Sequence, residues 1–199
     1  MWKLVPNALT FARLGLTLVF LGIILYSPRL ADPSFFLDIA FVLFVVAGLT
    51  DIVDGHIARR FNAATKFGRM VDPLVDKVLV CGAFVCFAII HVPKLFDWGL
   101  PTLALIHWSV AGILILREAY VTILRHRAEA RGVNFAAVAS GKIKMFLQVF
   151  AIGTVLIKTA HVQRAEWGNW FTVIVFAAMV VMTVISGLRA TQRTQTARV

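Results

Sequence analysis

Acidic residues are scarce in this sequence: only 10 of 199 residues are Asp or Glu, and charged residues of either sign make up 15% of the chain. Hydrophobic residues account for 60%, and the mean hydropathy is +0.85. A soluble domain of this size could not bury so much apolar surface, so the composition excludes that class and indicates a polytopic membrane protein. At about 20 residues per span, we expect about six spans in one domain covering residues 1–199.

Cysteine is scarce as well. Cys81 and Cys86 lie in one apolar segment and do not share a helix face, so we expect no disulfide and no cysteine-ligated metal. The sequence has no internal repeat and no low-complexity segment, and it shows no sign of a separate domain outside the membrane. The N-terminus lacks the small-residue cleavage site of a signal peptide, so the first apolar segment is predicted to remain as a span.

Six apolar segments, separated by charged or proline-containing breaks, predict an all-α fold of six transmembrane helices. We expect these helices to enclose a polar cavity open to the cytoplasm. The segments cover residues 7–26, 35–49, 73–90, 100–124, 136–157 and 167–188.

Basic residues outnumber acidic ones, which gives a net charge of +10. They lie at the ends of apolar segments, so we reject nucleic acid as a partner and expect membrane lipids instead. If both termini are cytoplasmic, 16 Lys and Arg residues fall on the inner side of the membrane. The four on the outer side are Arg29, Lys94, Lys158 and Arg164. This bias predicts an integral membrane protein with cytoplasmic termini, and Trp98, Trp167 and Trp170 then lie at the outer interface.

The few acidic residues are concentrated in Asp51–Asp76, which reads D-I-V-D-G-H-I-A-R-R-F-N-A-A-T-K-F-G-R-M-V-D-P-L-V-D. Five of its residues have the spacing i, i+3, i+4, i+7 and i+8, which is one helix face: Asp51, Asp54, Gly55, Ala58 and Arg59. Three more share a face at i, i+4 and i+8: Gly68, Asp72 and Asp76. Two helices joined by a short loop would therefore direct four carboxylates toward one point.

Four carboxylates gathered in apolar surroundings repel one another and are costly to bury, so positive charge must lie among them. Two divalent metal ions are the simplest source of that charge. Carboxylate oxygens without accompanying His or Cys ligands favour Mg²⁺ or Mn²⁺ over zinc. The positive-inside bias places this site at the cytoplasmic face, where soluble substrates can reach it and a lipid can enter from the side.

The spacing D-x2-D-G-x2-A-R-x8-G-x3-D-x3-D resembles the signature of the CDP-alcohol phosphatidyltransferase family, with all eight positions occupied. Val5–Arg13 resembles the family's approach to the first span. Leu116–Thr122 and Ser140–Met145 resemble the branch that makes phosphatidylglycerol phosphate. The resemblance implies that a phosphatidyl group passes from CDP-diacylglycerol to sn-glycerol 3-phosphate with release of CMP. It also implies a homodimer and a bacterial inner-membrane location.

Carried over by position, the resemblance implies that Asp51, Asp54, Asp72 and Asp76 hold the two metal ions. Asp76 would also act as the general base on the incoming hydroxyl, and Arg59 would pair with the pyrophosphate. The remaining residues on the nucleotide side would be Gly55, Ala58, Gly68, Thr65, Asn7 and Thr10.

An acceptor that is itself phosphorylated needs a basic pocket, which we predict from Arg117, Lys142 and Arg189 on three spans. Arg117 and Glu118 are sequence neighbours, and because adjacent helix positions point apart we do not expect them to pair. Other acceptors stay open: phosphatidylglycerol, which would give cardiolipin, or an inositol phosphate. A metal-ion transporter is a remote alternative, since all four acids lie near one side of the membrane and no second acidic site follows.

Overall fold

The computed structural model describes residues 5–60, 66–130 and 139–196. Within these ranges the side chains of residues 5–10, 51–60, 66–70, 72, 129, 139–140 and 193–196 lie outside the description. The described chain forms six α-helices, and a short 3₁₀ turn at Ser27–Arg29 follows the first one. The helices are α1 (Val5–Tyr26), α2 (Pro33–Arg60), α3 (Lys66–Ile90), α4 (Leu100–Glu129), α5 (Ala139–His161) and α6 (Glu166–Thr196).

All six of these helices are long and apolar enough to cross a membrane, which confirms the predicted spans. Inside a bilayer the backbone must satisfy its own hydrogen bonds, so apolar runs of this length become helices. α2, α4 and α6 continue well beyond their apolar runs. Each of these extensions belongs to the end of the molecule where α2 finishes and α3 begins, which we call the motif end because it carries the acidic stretch.

Local chemistry marks several helix boundaries. Pro33 is the first residue of α2, where its missing N–H has no consequence, and the Asp32 carboxylate accepts a hydrogen bond from the Phe35 N–H at 3.2 Å. Pro73 lies inside α3, directly after Asp72. It cannot donate to the carbonyl four residues earlier, so the α3 ladder lacks one hydrogen bond within the acidic motif.

The described residues pack as a closed ring of helices in the order α1, α2, α5, α6, α4 and α3, with α3 also touching α5 across the ring. One continuous apolar core fills its interior. Aromatic contacts tie the ring together: the rings of Phe20 and Phe44 stack at 5.5 Å, and those of Phe84 and Phe176 meet edge to face at 6.1 Å. Large apolar side chains are exposed on the outside of every helix, as lipid contact requires.

At the opposite end, the Nε2 of His161 lies 2.8 Å from the Asp38 carboxylate, and Lys158 donates to the carbonyl of Lys94 at 2.9 Å. The ring of Phe96 contacts those of Trp98 and Trp170 at 5.2 and 5.3 Å. An aromatic group therefore gathers at this end, the side that the charge bias assigns to the outer interface. Cys81 and Cys86 are both free thiols.

Candidate functional site at the motif end

The acidic motif lies on two helices with a short connection between them. α2 runs through Asp51 and Asp54 to Arg60, and α3 begins at Lys66 and runs through Asp72 and Asp76. The prediction that the motif lies on two helices is therefore confirmed. The one-face spacing of each set of residues holds, because both segments are helical.

Most side chains of the predicted metal and nucleotide site lie outside the description. This applies to Asp51, Asp54, Gly55, Ala58, Arg59, Gly68, Asp72, Asn7 and Thr10, whose helical backbone alone is described, and to Thr65, which lies wholly outside the described residues. Their assigned roles stay predictions. Asp76 is the motif carboxylate whose surroundings the structure describes.

Asp76 is ion-paired with an arginine from the first helix. The Nη1 of Arg13 lies 2.9 Å from Oδ1 of Asp76. The Arg13 side chain is 1% exposed, whereas the Asp76 side chain is 30% exposed. A buried guanidinium is costly to desolvate unless it is paired, and this pair fixes the carboxylate relative to α1.

Sequence reasoning treated Arg13 only as a positive charge on the inner side, and so missed this contact. A signal was present, since Arg13 lies inside the apolar run of α1, four residues before the fully buried Thr17. A charge within such a run must have a partner or a ligand.

A second polar group joins three other helices at the same end. Nη1 of Arg117 donates to Oε1 of Glu118 at 3.1 Å, and the Lys144 ammonium donates to that same oxygen. Nη2 of Arg117 donates to the Ser186 hydroxyl at 2.5 Å. We call these four residues, Arg117, Glu118, Lys144 and Ser186, the basic cluster. It carries two cations against one carboxylate.

The prediction that Arg117 and Glu118 do not pair is wrong. Both are long side chains, and Glu118 is drawn toward Arg117 because Lys144 from α5 converges on the same oxygen. Arg117 still has an unused donor, since its buried Nε has no hydrogen-bond partner among the described side chains. Gly187 on α6 lies beside the Arg117 stem, where a Cβ would be in ordinary van der Waals contact, 3.5 Å from Cγ of Arg117.

The two other residues predicted for the acceptor pocket are placed differently. Lys142 and Arg189 are exposed, whereas Lys144, two residues after Lys142, is 6% exposed and faces the ring interior. Lys144 and its carboxylate partner Glu118 were not in the predicted pocket. No described contact brings Lys142 or Arg189 to the basic cluster, and their assignment stays a prediction.

The basic cluster and the acidic motif are linked through α3. Asp76 faces α1, and the next residue, Lys77, donates from Nζ to the Thr122 hydroxyl on α4 at 2.6 Å. Thr122 lies one turn from Glu118 and donates to its carbonyl at 2.6 Å. The candidate base and the cations of the cluster are therefore on neighbouring helices at one end of the ring.

A lateral cavity of about 410 Å³ lies elsewhere, between α2, α5 and α6. Its walls include Phe41, Phe150, Trp167 and Phe171, and its position is the middle and opposite end of the ring. Apolar lining of this kind suits a hydrocarbon chain and not a charged substrate. None of the described residues that line it belongs to the acidic motif.

Comparison with known proteins gives consistent results. The family model for CDP-alcohol phosphatidyltransferase matches residues 3–185. A Mycobacterium tuberculosis protein named probable phosphatidylglycerophosphate synthase is 34% identical over 182 residues, covering 92% of this chain and 77% of that protein. A Bacillus subtilis protein named CDP-diacylglycerol–glycerol-3-phosphate 3-phosphatidyltransferase is 33% identical over 190 residues, covering 92% and 90%. A Rickettsia typhi protein of the same name is 32% identical over 155 residues, covering 78% and 77%.

Proposed function

This chain belongs to the CDP-alcohol phosphatidyltransferase family, and from that membership we propose that it makes phosphatidylglycerol phosphate. The phosphatidyl group would pass from CDP-diacylglycerol to sn-glycerol 3-phosphate, and CMP would leave. The relatives named for this reaction cover most of this chain and support the choice of acceptor. The chain is thus an integral membrane transferase and not the metal-ion transporter kept as a remote alternative.

The observation that carries the acceptor assignment is the convergence of Arg117 and Lys144 on Glu118. Two helices bring these cations to one place in the interior, where a charge is costly unless it is paired or bound to a ligand. The unused Nε donor of Arg117 suits a phosphate oxygen, which a planar guanidinium can bind at two points. Neutral acceptors need no such charges.

The residues of the motif fit a pair of Mg²⁺ or Mn²⁺ ions. α2 places Asp51 and Asp54 three residues apart on one face, α3 places Asp72 and Asp76 four residues apart, and the donors are all hard carboxylate oxygens. These four residues would hold the metals. When bound, the ions neutralise negative charge that develops on the departing phosphate group.

Asp76 would take the proton of the attacking hydroxyl of the acceptor. That oxygen forms a bond to the lipid-bearing phosphorus, and the bond from this phosphorus to the CMP oxygen breaks. Arg13 keeps the Asp76 carboxylate in place during this transfer, since their ion pair joins α1 to α3. Proton transfer by a positioned carboxylate contributes about 10²- to 10⁴-fold to a rate.

The nucleotide would lie along the faces of α2 and α3. Gly55 would let the nucleotide approach the backbone, and Arg59 would pair with the pyrophosphate, in keeping with its planar fork. Other contacts would come from Ala58, Thr65, Gly68, Asn7 and Thr10. Lys142 and Arg189, predicted for the acceptor phosphate, would supplement Arg117 and Lys144 at the mouth of the pocket.

The charge bias favours cytoplasmic termini and a site facing the cytoplasm through a polar cavity, and the bacterial relatives favour the inner membrane. We also propose that the protein is a homodimer, because its sequence resembles this family. CDP-diacylglycerol would then reach the motif end from the inner leaflet, and the soluble acceptor from the cytoplasm.

The decisive experiment is CMP release by purified protein with CDP-diacylglycerol, Mg²⁺ or Mn²⁺, and one acceptor at a time. Release with sn-glycerol 3-phosphate, and a product that carries its phosphate, is the expected result. Release only with phosphatidylglycerol or an inositol phosphate would overturn the acceptor assignment and keep the chemistry. No release with any acceptor, by protein that binds CDP-diacylglycerol, would contradict the proposed reaction.

A further inference from the structure

Three buried polar side chains lie one helical turn deeper than the charged groups of the motif end: Thr17, Gln148 and Thr183. Their exposed fractions are 0%, 2% and 0%. Oγ1 of Thr17, Nε2 of Gln148 and Oγ1 of Thr183 have no hydrogen-bond partner among the described residues. Buried donors of this kind are rare, and each needs an explanation.

The two threonines depart from the pattern of this chain. Other helical threonines donate their hydroxyl to the carbonyl four residues earlier: Thr50, Thr122, Thr154, Thr159, Thr172 and Thr191. That bond is the nearest one available to a buried helical threonine. Thr17 and Thr183 do not make it, so their hydroxyls lack the partner that their own helix offers.

Gln148 and Thr183 lie directly beneath the basic cluster. Gln148 follows Lys144 by four residues on α5, and Thr183 precedes Ser186 by three residues on α6, so each shares a face with a cluster residue. α5 and α6 pack against each other. Long helical side chains lean toward the N-terminus of their helix, which for α5 is the motif end, so the Gln148 amide leans toward the cluster.

Unpartnered donors in this position are unfavourable for the empty protein. An apolar side chain of the same shape would avoid the desolvation penalty, which Gln148 and Thr183 bear without a partner of their own. Polar groups that break a local rule in this way are expected at functional sites. Because they lie beneath Arg117 and Lys144, the cations proposed to bind the acceptor phosphate, they would contact the same acceptor.

We propose that Gln148 and Thr183 form the floor of the acceptor site and bind the acceptor hydroxyl that does not react. This inference rests on the proposed function. In sn-glycerol 3-phosphate one free hydroxyl attacks and the middle one does not, and one helical turn of about 5.4 Å suits the short distance from its phosphate to that group. The phosphate would contact Arg117 and Lys144, and the middle hydroxyl would accept from Gln148.

The test compares two acceptors that differ in that hydroxyl alone: sn-glycerol 3-phosphate and 3-hydroxypropyl phosphate. We expect the unaltered chain to prefer the former by about tenfold or more in kcat/KM, because sites built to bind a hydroxyl reject analogues lacking it. Gln148→Met and Thr183→Val should each move that ratio toward one while the KM for CDP-diacylglycerol stays the same. Thr183→Ser, which keeps the hydroxyl, should keep the preference.

Thr17→Val is the matched control, because it also removes an unpartnered buried hydroxyl but on α1, which among the described residues packs mainly against α2 and α3. It should leave the acceptor preference unchanged. The proposal would be contradicted if the unaltered chain showed no preference between the two acceptors. It would also be contradicted if the Gln148→Met and Thr183→Val variants kept that preference, in which case the two side chains bind water instead. If Gln148→Met does not fold, the Thr183→Val and Thr183→Ser pair decides alone. An unaltered chain that is inactive with sn-glycerol 3-phosphate contradicts the proposed function itself, which is a different outcome.

Discussion

Arg13 and Asp76 form an ion pair across the interface of α1 and α3, with Nη1 of the arginine 2.9 Å from Oδ1 of the aspartate. The guanidinium is buried and the carboxylate is partly open, so the pair links the packed interior to the candidate site. The acidic motif is therefore held by a residue nearly 40 positions before its first aspartate. The N-terminal helix thus contacts the candidate site as well as forming part of the ring.

Replacement of Arg13 by Met should lower both stability and turnover, because the pair joins α1 to α3 and positions the Asp76 carboxylate. The change removes the contact of Arg13 with Asp76 at the α1–α3 interface, and breaking a buried pair in this way costs about 3–5 kcal/mol, with the lower end expected because Asp76 is partly exposed. Thermal unfolding in detergent and CMP release measure the two effects. Arg127→Met removes an exposed cation from the same end and should change neither. An Arg13→Met variant with unaltered stability and turnover would contradict a role for the pair.

Asp76→Asn should preserve the fold and lower turnover by about 10²-fold or more, because an amide cannot take a proton from the attacking hydroxyl. The carboxamide keeps an oxygen that can accept from Arg13, so thermal unfolding should change less than it does in Arg13→Met. CMP release, measured at saturating concentrations of both substrates, checks the prediction. Turnover near that of the unaltered protein would exclude Asp76 as the base.

The sequence predicted the number of helices and the place of the acidic motif because both depend on local patterns. Apolar runs of about 20 residues can cross a bilayer only as helices, and the motif spacing selects one helix face. The ring order of the helices depends on contacts between distant segments, and one sequence carries no such information. The apolar run around Arg13 indicated that it needs a partner, but which residue that is could not be predicted, since Asp76 is 63 residues away.

The choice between Lys142 and Lys144 shows a further limit. In a soluble helix the apolar stripe identifies the buried face, but in a membrane both the lipid face and the interior are apolar. Phe146 is 67% exposed while Gln148 is 2% exposed, so the more hydrophobic residue of α5 faces lipid and the polar one faces the ring interior. Hydropathy alone could not predict which of the two lysines faces inward.

Close packing of α1 on α3 should matter to the site as much as the ion pair does. A Cβ at Gly82 would lie 2.8 Å from Cδ1 of Leu21 on α1, so a larger side chain must displace the Leu21 side chain at this interface. Gly82→Val should lower stability by about 1–3 kcal/mol, and it should lower CMP release as well because it strains the interface that holds Asp76. Gly112→Val is the control, since a Cβ there meets nothing within 4 Å. Equal effects of the two changes on thermal unfolding would count against this packing.

Lys144→Met and Lys142→Met are the most informative pair of substitutions for locating the acceptor phosphate. The two lysines are two residues apart and differ mainly in the direction they face. Lys144→Met removes a charge that contacts Glu118, and loss of a charge-assisted contact to a phosphate should raise the KM for sn-glycerol 3-phosphate about ten- to hundredfold. Lys142→Met should raise it less, because that side chain is exposed to screening by solvent and salt. The KM for CDP-diacylglycerol serves as the internal reference, and neither change should alter it. A larger effect at Lys142 would place the acceptor phosphate at the mouth of the pocket and not within the basic cluster. Equal rises for both substrates in Lys144→Met would instead assign this lysine a structural role through its ion pair with Glu118, which links α5 to α4.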